Sequence, residues 1–282
     1  MRKLLILIAA LFTIYSIPIQ AQKRSSEGKL FIIGGGERSD ALIKKLVETA
    51  GLATNDYIIV LPMASVQPDT GFYYISRQIG KHTPALIRNF DFRQPEIPLQ
   101  QWADSVAGAK LIYILGGDQN SFMKSVLNTP VYDAIHKAYK NGATIAGTSA
   151  GAAVMSRYMI TGQQLKDSVY KETFNKLLTD NIEFAEGLGL LQQTIIDQHF
   201  IRRSRYNRIL SALSSRPGFM GIGIDEGTAI IVSGNKARVA GVSQVLRFKH
   251  SGRVGMSAGE LVNLKNIRLD IYVEGEVFKL KR

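Results

Sequence analysis

The chain of 282 residues contains no cysteine. That absence removes disulfides, thiolate metal sites, cysteine nucleophiles and a lipid-modified cysteine anchor together. Histidine is scarce, with four residues: His82, His136, His199 and His250. No long Pro/Ser/Gly-rich linker divides the chain, and no internal repeat or low-complexity segment appears. No apolar run reaches the roughly 20 residues that a membrane-crossing helix needs. The longest candidate is N-terminal. Met1-Arg2-Lys3 precedes Leu4–Phe12, Pro18 and Gln20 break the stretch beyond Phe12, and Ala21 stands before Gln22. This pattern predicts a signal peptide over 1–21, no stable membrane anchor, and a periplasmic or extracellular location. Residues 22–282 are then read as one domain, large enough to be stable through its core alone.

The formal charge is +12, falling to +10 once Arg2 and Lys3 leave. A basic balance suits nucleic acid or an acidic substrate. Here the Lys and Arg residues are dispersed and no nucleic-acid-binding motif is present, so no nucleic-acid partner is expected. One cluster stands apart, Arg202-Arg203-Ser204-Arg205-Tyr206-Asn207-Arg208. No His/Asp cluster has metal-ligand spacing, and Gly34-Gly35-Gly36 lacks the dinucleotide spacing because Ser39 occupies the last position. Neither a metal nor a cofactor is expected.

Short buried strands alternate with amphipathic helices. Strands are expected at 29–33, 57–61, 85–90 and 111–115. Helices are expected at 39–50 behind a Ser39 cap, at 72–80, at 120–127 and at 130–140. The fold class implied is α/β, a mostly parallel sheet with helices on both faces. After about Gly221 short β-type segments succeed one another, which predicts an antiparallel C-terminal extension of that sheet.

Gly147-Thr148-Ser149-Ala150-Gly151 comes after an apolar run and opens a small-residue stretch read as a helix over 150–158. This is the context of a nucleophile elbow, with Ser149 raised on a sharp strand-to-helix turn. In open α/β sheets working groups gather at the carboxyl ends of strands. His199 alone among the histidines ends an apolar strand beside polar groups, so it is the candidate base. Asp225 and Glu226 both end a strand, and on an extended segment only one of them faces His199; spacing does not choose between them. An oxyanion needs two N–H donors. Ala150 supplies one, and the second is taken from Gly117, with Asp118 the other candidate. Arg203 lies one turn beyond His199, and Arg205 and Arg208 form a second pair. Guanidinium groups suit carboxylates.

Ile32-Ile33-Gly34-Gly35-Gly36-Glu37, Gly116-Gly117-Asp118-Gln119, Gly147–Ala152, Asp197-Gln198-His199-Phe200 and Ile224–Ala229 occur in this order. Together they resemble the serine peptidase family that holds cyanophycinase and aspartyl dipeptidase, over most of 29–245. The resemblance implies a fold similar to class I glutamine amidotransferases, flavodoxin-like, with serine in place of their cysteine. It implies Ser149 as nucleophile, His199 as base and Glu226 as the acid. It also implies substrate-pocket roles for Gln119, Asp197, Gln198, Arg203, Arg205 and Arg208. The activity implied is hydrolysis of aspartyl or β-aspartyl peptide bonds, with cyanophycin as one such substrate. Cyanophycin is an aspartate polymer bearing arginine on its side-chain carboxyls. A general α-aspartyl dipeptidase and an inactive binding protein of the same fold are the alternatives. A homodimer is left open as the assembly.

Overall fold

Runs such as Tyr57–Leu61 and Leu111–Ile114 have no polar face, so a strand made from them must be covered on both sides. A computed structural model describes residues 27–93, 99–166, 176–250, 255–256 and 260–280. The signal peptide expected at 1–21 lies outside the described residues. Among those residues no helix is long and apolar enough to cross a membrane.

The elements run β1 (Lys29–Ile33), α1 (Asp40–Ala50), β2 (Tyr57–Leu61), α2 (Pro68–Gly80), β3 (Leu86–Asn89), α3 (Leu99–Gly108), β4 (Leu111–Ile114), α4 (Gln119–Val126), α5 (Pro130–Lys140), β5 (Thr144–Thr148) and α6 (Ala150–Ala153). They continue with β6 (Tyr158–Gln164), β7 (Ile182–Glu186), β8 (Thr194–Gln198), α7 (Tyr206–Ser215), β9 (Met220–Ile224), β10 (Thr228–Ser233), β11 (Lys236–Gly241) and β12 (Val245–His250). The last are β13 (Gly255–Met256), β14 (Val262–Asn263), β15 (Ile267–Tyr272) and β16 (Val277–Lys279).

The main sheet has eight strands in the order β16-β11-β10-β1-β5-β4-β2-β3. From β1 to β3 all pairings are parallel. One face carries α1 and α2, which pack Leu42, Ile43, Leu46, Ile75 and Ile79 against the sheet. The other face is covered by α3 to α6. Ser39 caps α1 by accepting from the Leu42 N–H at 3.2 Å, and Gly51 closes it in the left-handed region.

Three readings change. The antiparallel extension divides between two sheets. β10, β11 and β16 extend the main sheet, while β9, β12 and β15 join β8 in a second sheet ordered β15-β12-β9-β8. Period-two patterning tells which residues share a face but not which sheet a strand enters. The helix expected over 150–158 stops at Ala153, and the chain enters β6 at Tyr158. Four small residues suffice because α6 lies directly against the sheet. A Cβ on Gly151 would stand 2.4 Å from the Ile114 carbonyl oxygen. The next stretch, Tyr158-Met-Ile-Thr, is strand-forming. Finally, α3 fills a region where the spacing predicts no element.

Candidate active site

Ser149 leaves the carboxyl end of β5, His199 that of β8 and Glu226 that of β9. Strands of two different sheets thus end at one place. The Ser149 Oγ lies 2.8 Å from Nε2 of His199, and the His199 Nδ1 lies 2.6 Å from Oε1 of Glu226. A carboxylate at Nδ1 selects the tautomer protonated there and leaves Nε2 free to accept from the serine hydroxyl. Such a line of groups lets a serine lose its proton as it attacks a carbonyl. Burial holds the His199 imidazole below its ordinary pKa, the Glu226 hydrogen bond opposes this, and the Arg203 and Arg205 charges add to the lowering. A neutral imidazole is the form that accepts a proton.

The backbone at both positions is unusual. Ser149 has φ 52° and ψ −109°, and His199 has φ 50°. Both are left-handed values that a side chain disfavours. What holds them is the end of β1 and the loop that follows it. The Ser149 N–H donates to the Ile33 carbonyl at 3.0 Å, the His199 N–H to that of Gly34 at 2.7 Å, and the Gly227 N–H to that of Gly35 at 2.9 Å. Gly34 in turn donates to the Thr228 carbonyl at 2.9 Å. The imidazole lies on Gly35, where a Cβ would stand 2.3 Å from His199 Cε1. A Cβ on Gly36 would stand 2.6 Å from that of Glu226. The three glycines are therefore the bed of the site, a role sequence reasoning did not assign. The signal was present as Gly-Gly-Gly directly after a buried strand, but it does not say what presses upon it.

The choice between the adjacent acids is visible in the hydrogen bonds. Asp225 accepts from the N–H groups of Ile201 and Arg202 at 3.0 and 2.9 Å, and from the Ser243 hydroxyl at 2.7 Å. It ties down the turn after His199, while Glu226 faces the ring. Of the two donors weighed beside Ala150, Asp118 gives its N–H to the Ala64 carbonyl at 2.8 Å. Its carboxylate caps α4 through Asn120 N and the Ser121 hydroxyl. Gly117 has φ 141°, and a Cβ there would stand 2.0 Å from the Ala64 oxygen. Ala150 is the first residue of α6, so its N–H has no acceptor within the helix.

Asp197 is fully buried. Its Oδ1 accepts from the Gln198 N–H at 2.8 Å and from Arg205 Nη1 at 3.3 Å, and its Oδ2 accepts from Arg208 Nε at 2.9 Å. Arg208 Nη2 also reaches Asp197 Oδ1 and, at 3.4 Å, Gln198 Oε1. Asp197 is thus the anion that positions both arginines. The basic segment is a series of turns up to Arg205, with α7 starting at Tyr206. Within those turns the Arg203 N–H donates to the His199 carbonyl at 2.9 Å. The Arg203 side chain is half-buried, and its charge bears on the imidazole. Gln119 is buried and spends its amide on the Ile160 and Thr161 carbonyls at 3.0 and 2.8 Å, which fixes β6 beside the site.

The model of peptidase family S51 matches residues 30–240. The chain is 32% identical over 269 residues to a cyanophycinase of Trichormus variabilis, covering 91% of this chain and 87% of that one. It is 32% identical over 276 residues to a cyanophycinase of Geminocystis herdmanii, covering 92% and 96%. In shape it is similar to a peptidase from an acI-B1 Actinobacterium, with a TM-score of 0.64 at 22% identity over 90% and 97% of the two chains.

Proposed function

This chain belongs to peptidase family S51 and is a peptide-bond hydrolase, and from that premise we propose that Ser149, His199 and Glu226 work as its catalytic triad. The observation that carries the reading is the unbroken line from the Ser149 hydroxyl through the imidazole to the Glu226 carboxylate. The Ser149 Oγ attacks the scissile carbonyl while its proton passes to His199 Nε2. Glu226 holds the ring and stabilises the imidazolium. The Gly117 and Ala150 N–H groups meet the oxyanion. As the tetrahedral centre collapses, His199 gives the proton to the leaving amine and an acyl-enzyme remains. Water, deprotonated by the same imidazole, then attacks the ester and frees Ser149.

The substrate we propose is an aspartyl or β-aspartyl peptide cut by an exopeptidase, with cyanophycin itself as one form. Among the described residues no acid forms an ion pair with Arg203, whereas Arg205 and Arg208 are both held on Asp197. A substrate carboxylate supplies the partner that Arg203 lacks. Export through residues 1–21, to the periplasm or beyond, completes the reading. It is supported by Met1-Arg2-Lys3 ahead of the apolar Leu4–Phe12 run. An intact mass beginning at Gln22 in the exported fraction tests it.

The chemistry is tested on cyanophycin and on Asp-X dipeptides. Ser149→Ala is expected to lower kcat by at least about 10⁴-fold, and Glu226→Gln by about 10³–10⁴-fold with little change in KM. Release of β-aspartyl-arginine separates the cyanophycinase reading from a general dipeptidase. No turnover of either substrate, together with no labelling of Ser149 by a serine-directed phosphonate, would leave a binding protein instead.

A further inference from the structure

Three neighbouring parallel strands of the main sheet, β4, β2 and β3, follow β5 in that order, and each delivers a loop at its carboxyl end. The loop after β4 holds Gly116 and Gly117, and it borders the nucleophile. A Cβ on Gly116 would stand 3.3 Å from that of Ser149. The loop after β2 holds Ala64 and Ser65, and the segment after β3 holds Asp91 and Arg93. Hydrogen bonds join the three in turn across the sheet. The Asp118 N–H donates to the Ala64 carbonyl at 2.8 Å. The carbonyl of the next residue, Ser65, accepts from Arg93 Nη1 at 3.0 Å. The Ala64–Ser65 segment is therefore gripped from both sides.

The grip of Arg93 is more than a surface ion pair, which alone contributes little. Its Nε and Nη2 donate to the two carboxylate oxygens of Asp91 at 2.8 and 2.6 Å. Its backbone N–H donates to Asp91 Oδ1 at 3.1 Å. Asp91 is buried. A two-point contact of this kind fixes the plane of a guanidinium. The nitrogen left over, Nη1, is the one that reaches Ser65, 28 residues away in the chain. On the other side of the segment there is no slack. A Cβ on Gly117 would stand 2.0 Å from the Ala64 oxygen and 3.0 Å from Ser65 Cα, so the two loops touch backbone to backbone. Packing this close transmits a displacement, and what moves Ser65 moves Gly117 with it.

We infer that Arg93 is a positioning residue for the oxyanion hole, holding the Gly117 N–H in line with the carbonyl that Ser149 attacks. The inference rests on the role proposed above for Gly117 beside Ala150. In this role Arg93 touches neither the substrate nor the reacting atoms. It acts through Ser65 and Ala64, and Asp91 sets its aim. An oxyanion donor counts most where negative charge develops, in the transition state. Loss of Arg93 therefore lowers kcat and leaves ground-state binding alone.

A deleted oxyanion donor costs about 10²–10³-fold in kcat, and a displaced one costs less. Arg93→Ala is expected to lower kcat by about 10–10²-fold, with KM within about twofold of the parent. The acid limb of its kcat/KM profile against pH, which reports His199, is expected to stay in place. Arg93→Lys keeps one donor without the two-point contact to Asp91, and its kcat is expected to fall between the two. The Arg93 side chain is 36% exposed, so added guanidinium ion can enter the place that Arg93→Ala vacates. Millimolar guanidinium is expected to restore part of kcat, and sodium chloride at the same concentration is not. Ser149→Ala, assayed alongside, separates this inference from the triad it rests on. Parental kcat in Arg93→Ala beside an inactive Ser149→Ala overturns the inference and leaves the triad standing. So does a KM raised about tenfold or more at parental kcat, which would make Arg93 a substrate contact. A displaced His199 limb overturns it as well. Full activity in Ser149→Ala removes the triad, and this inference with it.

Discussion

At the scale of single residues, the site holds two side chains in disfavoured backbone conformations. Ser149 and His199 each have φ near +50°, a cost of about 1–3 kcal/mol apiece when no glycine relieves it. The cost is sustained because both N–H groups are fixed to consecutive carbonyls, Ile33 and Gly34. Gly35 then sets the height of the imidazole. Gly35→Ala combines a positive φ of 105° with a methyl inside the ring's van der Waals space. We expect kcat/KM to fall by about 10²-fold or more as the ring moves from Ser149, with a stability loss of about 1–3 kcal/mol. Steady-state kinetics beside thermal unfolding check both. His199 was legible in the sequence because few histidines compete and one of them ends an apolar strand. The role of Gly35 was not legible, because what touches it arrives from a distant part of the chain. Spacing also could not choose Glu226 over Asp225. Their different partners, a ring and a turn, exist only in three dimensions.

At the scale of elements, α7 is secured by charge as well as by apolar contact. Asp197 at the end of β8 binds Arg205 just ahead of α7 and Arg208 in its first turn, all three buried. β9 helps by being small on one face. A Cβ on Gly223 would strike the Phe200 ring at 2.3 Å, and one on Gly221 would meet Ile209 at 2.8 Å. Helix and ring therefore rest directly on backbone. Asp197→Ala leaves two buried guanidinium groups without their anion, a destabilisation of about 3–5 kcal/mol. Chemical denaturation measures it, and a loss under about 1 kcal/mol would mean that water reaches these arginines. Most elements could be read from periodicity and caps, as α1 and α5 illustrate. The elements that could not are those fixed by tertiary contact. α6 ends early because the chain is drawn into β6, and β9 and β12 pass to a second sheet through pairings that patterning does not encode.

At the scale of the whole molecule, acid is the stress to which this fold is disposed. His199 and His136 both have imidazoles held below the ordinary value, each chiefly by burial. His136 lies half-buried against the Tyr132 ring. The unfolded chain, titrating near pH 6.5, takes up protons that the folded one refuses. The stability these groups confer is whole above that pH and is lost as pH falls from there through the folded values. We expect Tm to drop between about pH 7.5 and about pH 5.5, and His136→Gln to flatten the decline. A Tm independent of pH across that range would show that neither imidazole is held neutral. The single bed under the site also sets a timetable. Among the described residues β1 is the first strand in chain order, yet it lies between β5 and β10. Gly34 reaches its partner only when Thr228 arrives, and Glu226 arrives with it. A nascent chain therefore holds Ser149 and His199 before it holds the Glu226 carboxylate that meets the imidazole. Under the proposed triad, a chain that has not yet made and seated β10 has no assembled site.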